Sequence, residues 1–233
     1  MLFDILAHMP VQIDQFIRAR RRTISIQIKP GGQVVVRAPL RASERLVYEF
    51  VESKAAWIER KKAEAATHAP VTVKEFRAGE RFLLLGREIP LRVVENQRAA
   101  LTLTDQFLLS KKAAPKAAQV FEKWYKAQAF QILSERVKLY AAQHGFQPGR
   151  IRITSARTRW GSCSSRGTLS FTWRLVMAPI EVVDYVVLHE LVHLRVKNHS
   201  QVFWNALAAL LPDYKQYVAW LKTNGHSLSL GRR

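Results

Sequence analysis

The chain has 233 residues, of which 48% are hydrophobic and 24% are charged. This composition is that of a folded protein with one or two domains, and it excludes a chain that is mainly disordered. The 37 Lys and Arg residues outnumber the 18 Asp and Glu residues, which gives a formal net charge of +19. Such a charge favours a polyanionic partner or substrate, although a solvated basic surface explains it equally well.

Cysteine usage and hydropathy predict a cytoplasmic protein. The single cysteine, Cys163, excludes an internal disulfide framework and fits a reducing compartment. The N-terminal stretch MLFDILAHMP lacks a basic region and contains Asp4, so it is a poor export signal. No apolar run approaches the roughly 20 residues that cross a bilayer, so we expect no membrane association.

The N-terminal region, residues 1–112, is predicted to be rich in β-strands and to contain one helix. Alternating isoleucines before the turn sequence PGG predict a hairpin within residues 11–38. Apolar residues at helical spacing predict one helix over 42–66. Short apolar runs predict further strands over 80–109, and the charged, proline-containing run at 111–116 is the predicted linker.

The C-terminal region is predicted to cover residues 113–225, with a flexible tail over 226–233. It begins with a long helix from Ala117 to about His144, because Gly145 stands where such a helix would stop. Strands, a tight loop at RWGSCSS and further helices are predicted to follow. The whole chain is therefore predicted to have an α+β fold.

The sequence HELVH, from His189 to His193, predicts a zinc site. It lies in an apolar run that predicts a buried helix, and residues four apart lie one above the other on a helix face. Both imidazoles can then reach one metal ion, while Glu190 is rotated about 100° away and can act as general base on a water. Buried histidines and a buried glutamate are costly unless they are paired or bound to metal, which disfavours two ordinary helical histidines.

The third ligand follows by exclusion. After Glu190 the only acidic residue is Asp213, and the only histidines besides His193 are His199 and His226. We expect His199 to be the third ligand, with Asp213 as the reserve candidate. The resulting HExxHxxxxxH spacing is that of metzincins, but no methionine follows it, so a Met-turn is absent and metzincin membership is rejected.

Three blocks of the chain carry a family resemblance: RWGSCSSRGTLSFTWRLVMAP, VVDYVVLHELVHLRVKNHSQVFW and LPDYKQYVAWLKTNG. They resemble the YgjP-like metallopeptidase family, which is related to the SprT-like and WLM zincins, and the resemblance extends from about residue 20 to 225. It implies a minimal zincin-like domain with an HExxH helix and a Zn²⁺ cofactor. It also implies His189, His193 and His199 as ligands and Glu190 as catalytic base, and it leaves the substrate open.

The leading prediction is metal-assisted hydrolysis of a peptide bond in a peptide or protein substrate. Arg159, Ser162 and Tyr214 are candidates for contacts with the transition state or the substrate. In the RWGSCSS loop, Arg159 or backbone N–H groups could face the zinc. Alternatively, Trp160 and Gly161 have a structural role. Cys163 has no evident partner that would make it a nucleophile.

Two alternatives to the peptidase remain open because the charge is uneven. The acid-free stretch from Arg136 to Ile180 carries eight Lys and Arg residues. These favour either a nucleotide phosphoanhydride as substrate of the same site, or a basic nucleic-acid-associated protein with SprT-like protease activity. We expect weak nucleic-acid binding through this surface, measurable at low ionic strength. Few aromatic residues accompany the basic runs, so a base-stacking platform is not expected.

Overall fold

The computed structural model of the chain describes residues 11–29, 31–66 and 73–231. The fold is mixed α+β and divides into two compact units, residues 1–70 and 71–233. The stretch MLFDILAHMP and the proline of the predicted PGG turn lie outside the described residues.

The N-terminal unit is rich in β-structure, as predicted, and is built on a three-stranded sheet in the order β1-β3-β2. Its strands are β1 (Gln15–Ala19), β2 (Ser25–Ile28) and β3 (Val34–Pro39). β2 and β3 form the predicted antiparallel hairpin, and β1 pairs in parallel with the other side of β3.

Two helices, α1 (Glu44–Glu52) and α2 (Ala55–Ala66), replace the single helix predicted over 42–66. Ser53 caps the C-terminus of α1, and its hydroxyl donates a hydrogen bond of 2.7 Å to the Phe50 carbonyl. A serine side chain that bonds to the preceding turn competes with continuation of the helix, which accounts for the break.

The C-terminal unit begins with a four-stranded sheet in the order β4-β5-β7-β6. Its strands are β4 (Arg81–Leu84), β5 (Arg87–Val94), β6 (Leu101–Leu103) and β7 (Phe107–Ser110). Phe82 and Phe107 from this sheet pack on Phe121, with ring centroids 4.3 and 5.2 Å from it. The sheet therefore shares its core with the helices that follow, and the division between the units lies at residue 70 rather than at the predicted 112.

A long helix, α3 (Ala117–His144), follows a 3-10 helix at Lys111–Lys116, the predicted linker. Its end at Gly145 is as predicted, because this glycine adopts the left-handed conformation with φ 65°. One face of α3 is buried at every fourth residue: Phe121, Tyr125, Ala129, Leu133, Val137 and Ala141.

A three-stranded sheet in the order β8-β10-β9 lies beside α3. It consists of β8 (Ile151–Thr154), β9 (Gly161–Cys163) and β10 (Leu169–Thr172). The central strand β10 is parallel to β8 and antiparallel to β9. The short edge strand β9 occupies the stretch where the sequence predicts a tight loop.

Helix α4 (Ile180–Val192) is buried along almost its whole length. Its start is fixed by the turn between β4 and β5, where Gly86 has φ 77° and an added Cβ would lie 3.0 Å from Cγ of Pro179. Its middle is fixed to α3, because the Arg136 guanidinium donates two hydrogen bonds of 2.5 Å to the Asp184 carboxylate.

The chain ends with α5 (Gln201–Leu210), α6 (Tyr214–Asn224) and a short 3-10 turn at Gly225–Ser227. Leu228 and Leu230 are buried in the main core, although the sequence predicts a flexible tail from residue 226. Within the described ranges, no helix combines the length and the apolar character that crossing a membrane requires.

Candidate metal centre

The HELVH sequence lies at the C-terminal end of α4. His189 and Glu190 belong to the last turn of the helix, and His193 is its C-cap, with φ −63° and ψ −15°. His193 therefore still has helical backbone angles and lies one turn from His189 on the same face. A series of turns after His193 ends the helix.

Three imidazole Nε2 atoms converge at this helix end. His199 Nε2 lies 3.1 Å from His193 Nε2 and 3.0 Å from His189 Nε2. Four ligands placed tetrahedrally around zinc, at 2.0–2.1 Å for nitrogen, are about 3.3 Å apart. The spacing of the nitrogens therefore suits one zinc ion, and the described residues contain this one group of three or more side chains able to hold a metal.

The turn after α4 brings His199 back to the helix and orients His193. His193 Nδ1 lies 2.9 Å from the Val196 carbonyl oxygen. When Nδ1 donates its proton to that carbonyl, Nε2 keeps a lone pair for a metal. His189 Nδ1 is buried and has no hydrogen-bond partner among the described residues.

Aromatic side chains from α5 support the three imidazoles. Phe203 is fully buried, and its ring centroid lies 4.5–4.8 Å from those of all three histidines. Trp204 stacks on His199 at 5.5 Å, and its indole N–H donates to the His199 carbonyl at 3.1 Å. These contacts restrict the ring orientations, since packed aromatic side chains have few alternative rotamers.

The surroundings of His189 and His193 favour their neutral forms. Burial, together with the smaller effect of the neighbouring His193 and His199, lowers the pKa of His189 to about 3. Burial likewise lowers the pKa of His193. Neutral imidazoles are the form that binds zinc.

Glu190 lies against the edge strand β9. Its side chain is 4% exposed, and a Cβ added to Gly161 would lie 2.5 Å from Glu190 Oε1. Burial raises the pKa of Glu190 to about 8, while the charge of Arg159 opposes this rise. Glu190 Oε2 is buried without a hydrogen-bond partner in the described part of the chain.

The remaining predicted contact residues lie at different places around the cluster. Arg159 is exposed just before β9. Ser162 is the central residue of β9, so its side chain points to the sheet face opposite the one on which Gly161 meets Glu190. Tyr214 begins α6 and stacks on Trp204 at 5.5 Å, one aromatic ring removed from His199. The reserve ligand Asp213 is not part of the group of metal-binding side chains.

Sequence reasoning missed Tyr185 and Phe203. Tyr185 is 7% exposed and lies one helical turn before His189, with ring centroids 5.9 Å apart. Burial, together with the smaller effect of the charges of Glu190 and Tyr214, raises the pKa of Tyr185 to about 12. The spacing of four residues before His189 was the available signal. Phe203 gave no comparable signal, because its position depends on the turn after α4.

The Cys163 thiol is at the C-terminal end of β9. Burial raises its pKa, with Glu190 adding to the rise and Lys197 opposing it. A thiol with a raised pKa is a poor nucleophile at neutral pH, in agreement with the sequence-based argument against that role.

A family model described as YgjP-like, metallopeptidase domain, matches residues 22–224. A search of curated proteins finds no match.

Proposed function

Because the chain belongs to the YgjP-like metallopeptidase family, we propose that it is a zinc-dependent peptidase with His189, His193 and His199 as ligands and Glu190 as general base. The convergence of the three Nε2 atoms carries this proposal: His199 Nε2 lies 3.1 Å from that of His193 and 3.0 Å from that of His189. We assign α3, the sheet β8-β10-β9 and α4 to a minimal zincin-like domain with an HExxH helix.

The three histidines leave one side of the proposed zinc site for water and substrate. His199 is exposed and His189 is half-buried, which supports access of water and substrate to the site. A catalytic zinc site has three protein ligands and an open position, which matches this set. When bound, zinc supplies Lewis-acid polarisation and a water of lowered pKa.

Glu190 moves the proton in the proposed reaction. Its carboxylate takes a proton from the attacking water as the water oxygen bonds to the scissile carbonyl carbon. The same proton passes to the amide nitrogen as the C–N bond breaks, which yields an amine and a carboxylic acid that keeps the second proton of the water. The contact with Gly161 holds the Glu190 carboxyl group in one position during both transfers.

The backbone of β9 supports a peptide as substrate. The Trp160 carbonyl accepts a hydrogen bond from Thr172 N–H at 3.0 Å, and Ser164 N–H donates to Thr168 at 2.9 Å. Hydrogen-bonded pairs alternate in an antiparallel ladder, so the N–H and C=O groups of Gly161 and Cys163 point away from β10. β9 has no second neighbour among the described strands, and an extended peptide can pair with these free groups.

The test is hydrolysis of casein by the zinc-loaded full-length chain, with and without a chelator. Glu190→Gln is the matched control, because it keeps the shape of the side chain but cannot accept the proton. We expect cleavage that the chelator abolishes and that zinc restores, and no cleavage by Glu190→Gln with unchanged zinc content. Cleavage that persists in Glu190→Gln would contradict the general-base assignment, and zinc-dependent release of phosphate from a nucleotide without peptide cleavage would contradict the peptidase.

A further inference from the structure

Two cations, Arg159 and Lys197, lie in the segments before and after the proposed catalytic residues, Arg159 just before β9 and Lys197 between His193 and His199. Both side chains are exposed, and neither forms an ion pair or hydrogen bond with another residue in the described ranges. Exposed cations without an intramolecular partner are available to a ligand.

Each cation lies near one end of the edge strand β9. Arg159 is two residues before Gly161, and its charge acts on Glu190. Lys197 follows Val196, whose carbonyl contacts His193, and its charge acts on both His193 and Cys163 at the other end of β9. From residue 159 to residue 163 an extended chain spans about 13 Å, at about 3.3 Å per residue.

Carboxylates near these cations are few. Between residues 136 and 212 the acidic residues are Glu181, Asp184 and Glu190. Asp184 is paired with Arg136, and Glu181 lies nine residues before Glu190, about 13 Å along the helix axis. From α3, Glu122 accepts a hydrogen bond from Ser155 but is itself paired with Lys126. The stretch of chain that carries β9 and α4 therefore has few unpaired carboxylates besides Glu190, which favours a positive field at the two cations.

We infer that the cleft selects extended peptides that carry acidic side chains on both sides of the scissile bond, about four residues apart. This inference rests on the proposed peptidase function and names its substrate class. A peptide that pairs with β9 passes Glu190 near its middle, so its two acidic side chains meet Arg159 on one side and Lys197 on the other.

Binding to the inactive zinc-loaded Glu190→Gln chain tests the inference without turnover. The probes are three fluorescein-labelled decapeptides of one sequence with Glu, Gln or Lys at the two flanking positions. We expect the Glu peptide to bind about tenfold more tightly than the Gln peptide at low salt, and Arg159→Gln or Lys197→Gln to remove about two- to fivefold each, the size of an exposed ion pair.

Matched controls are exposed cations away from β9. Arg152 lies on β8, at the opposite edge of the sheet, and Lys138 lies on α3. We expect Arg152→Gln and Lys138→Gln to leave the preference unchanged. The double charge reversal Arg159→Glu with Lys197→Glu should invert the preference in favour of the Lys peptide, which a merely structural role of these residues would not do.

Cleavage of the same peptides by the wild-type chain separates this inference from the proposed function. Zinc-dependent cleavage of all three peptides at equal rates would overturn the acidic preference and leave the peptidase intact. Cleavage of none of them by a chain that also fails to cleave casein would overturn the proposed function. Displacement of the Glu peptide by a nucleoside triphosphate that is then hydrolysed would overturn the inference in favour of a phosphate-containing substrate.

Discussion

Replacing Gly161 with alanine tests whether Glu190 is held against the edge strand. The added Cβ would lie 2.5 Å from Glu190 Oε1, 2.7 Å from Cγ and 2.8 Å from Cδ. Ordinary carbon–oxygen contacts begin near 3.4 Å, so the carboxyl group must move by about 1 Å. A misplacement of about 1 Å in a catalytic group lowers turnover on the order of 100-fold. Overpacking a buried contact also costs about 1–3 kcal/mol of stability.

The Gly161→Ala effect can be measured without any substrate by a double-mutant cycle. Glu190→Ala removes Cγ, Cδ and Oε1, which are the atoms that the new Cβ would meet. We expect Gly161→Ala to lower the free energy of unfolding of the chelated chain in urea, and to do so by about 1–2 kcal/mol less when Glu190→Ala is present. Gly149→Ala is the control, because its added Cβ would also meet a close neighbour, the Gly167 carbonyl oxygen at 3.3 Å, but none of the nearest atoms belongs to Glu190. Full hydrolytic activity in Gly161→Ala would refute the placement of Glu190 against β9. The same conclusion would follow if the changes in the free energy of unfolding caused by Gly161→Ala and Glu190→Ala were additive.

Three further predictions concern the metal, the pH dependence and the scaffold. The His199→Ala chain should lose most of its zinc on dialysis, as measured by metal analysis, and zinc should no longer raise its melting temperature. If this variant keeps one zinc ion per chain, the third ligand is a residue other than His199. In the chelated chain, burial raises the pKa of Glu190 to about 8, so the folded state favours the protonated carboxyl group. The stability that the protonated Glu190 contributes is therefore lost as the pH rises from about 5 to about 8. Over that range the melting temperature of Glu190→Gln should rise relative to that of the wild type. A constant difference in melting temperature between the two chains would contradict this. Asp184→Asn should lower the free energy of unfolding in urea by about 3 kcal/mol, because it leaves the Arg136 guanidinium without its charged partner. Adding Arg136→Met should restore much of this free energy. No restoration would argue against a desolvated ion pair.

The sequence predicted the elements that depend on local patterns. The long helix from Ala117 and its end at Gly145 follow from apolar spacing and glycine chemistry, and both are confirmed. The HExxH spacing likewise predicted that His189 and His193 share one helix face, because that relation depends on helix geometry alone. His199 was reached by exclusion, and the structure brings its Nε2 to the other two.

The elements that the sequence missed depend on contacts distant in the chain. β9 consists of Gly161, Ser162 and Cys163, which have little intrinsic preference for strands, and pairing with β10 imposes its extended form. The break between α1 and α2 depends on a hydrogen bond of a single serine side chain, which periodicity does not reveal. The early division of the chain at residue 70 follows from the packing of Phe82 and Phe107 on α3, a contact that no local pattern encodes.

The central claim is that one zinc ion is held by three histidine Nε2 atoms. A crystal structure of the zinc-loaded chain, with anomalous data collected on both sides of the zinc absorption edge, tests it most directly. The account predicts one anomalous peak at 2.0–2.1 Å from Nε2 of His189, His193 and His199, with Glu190 outside the coordination sphere. A peak that lacks His199 as a ligand, that includes Asp213, or that lies away from this cluster would contradict it.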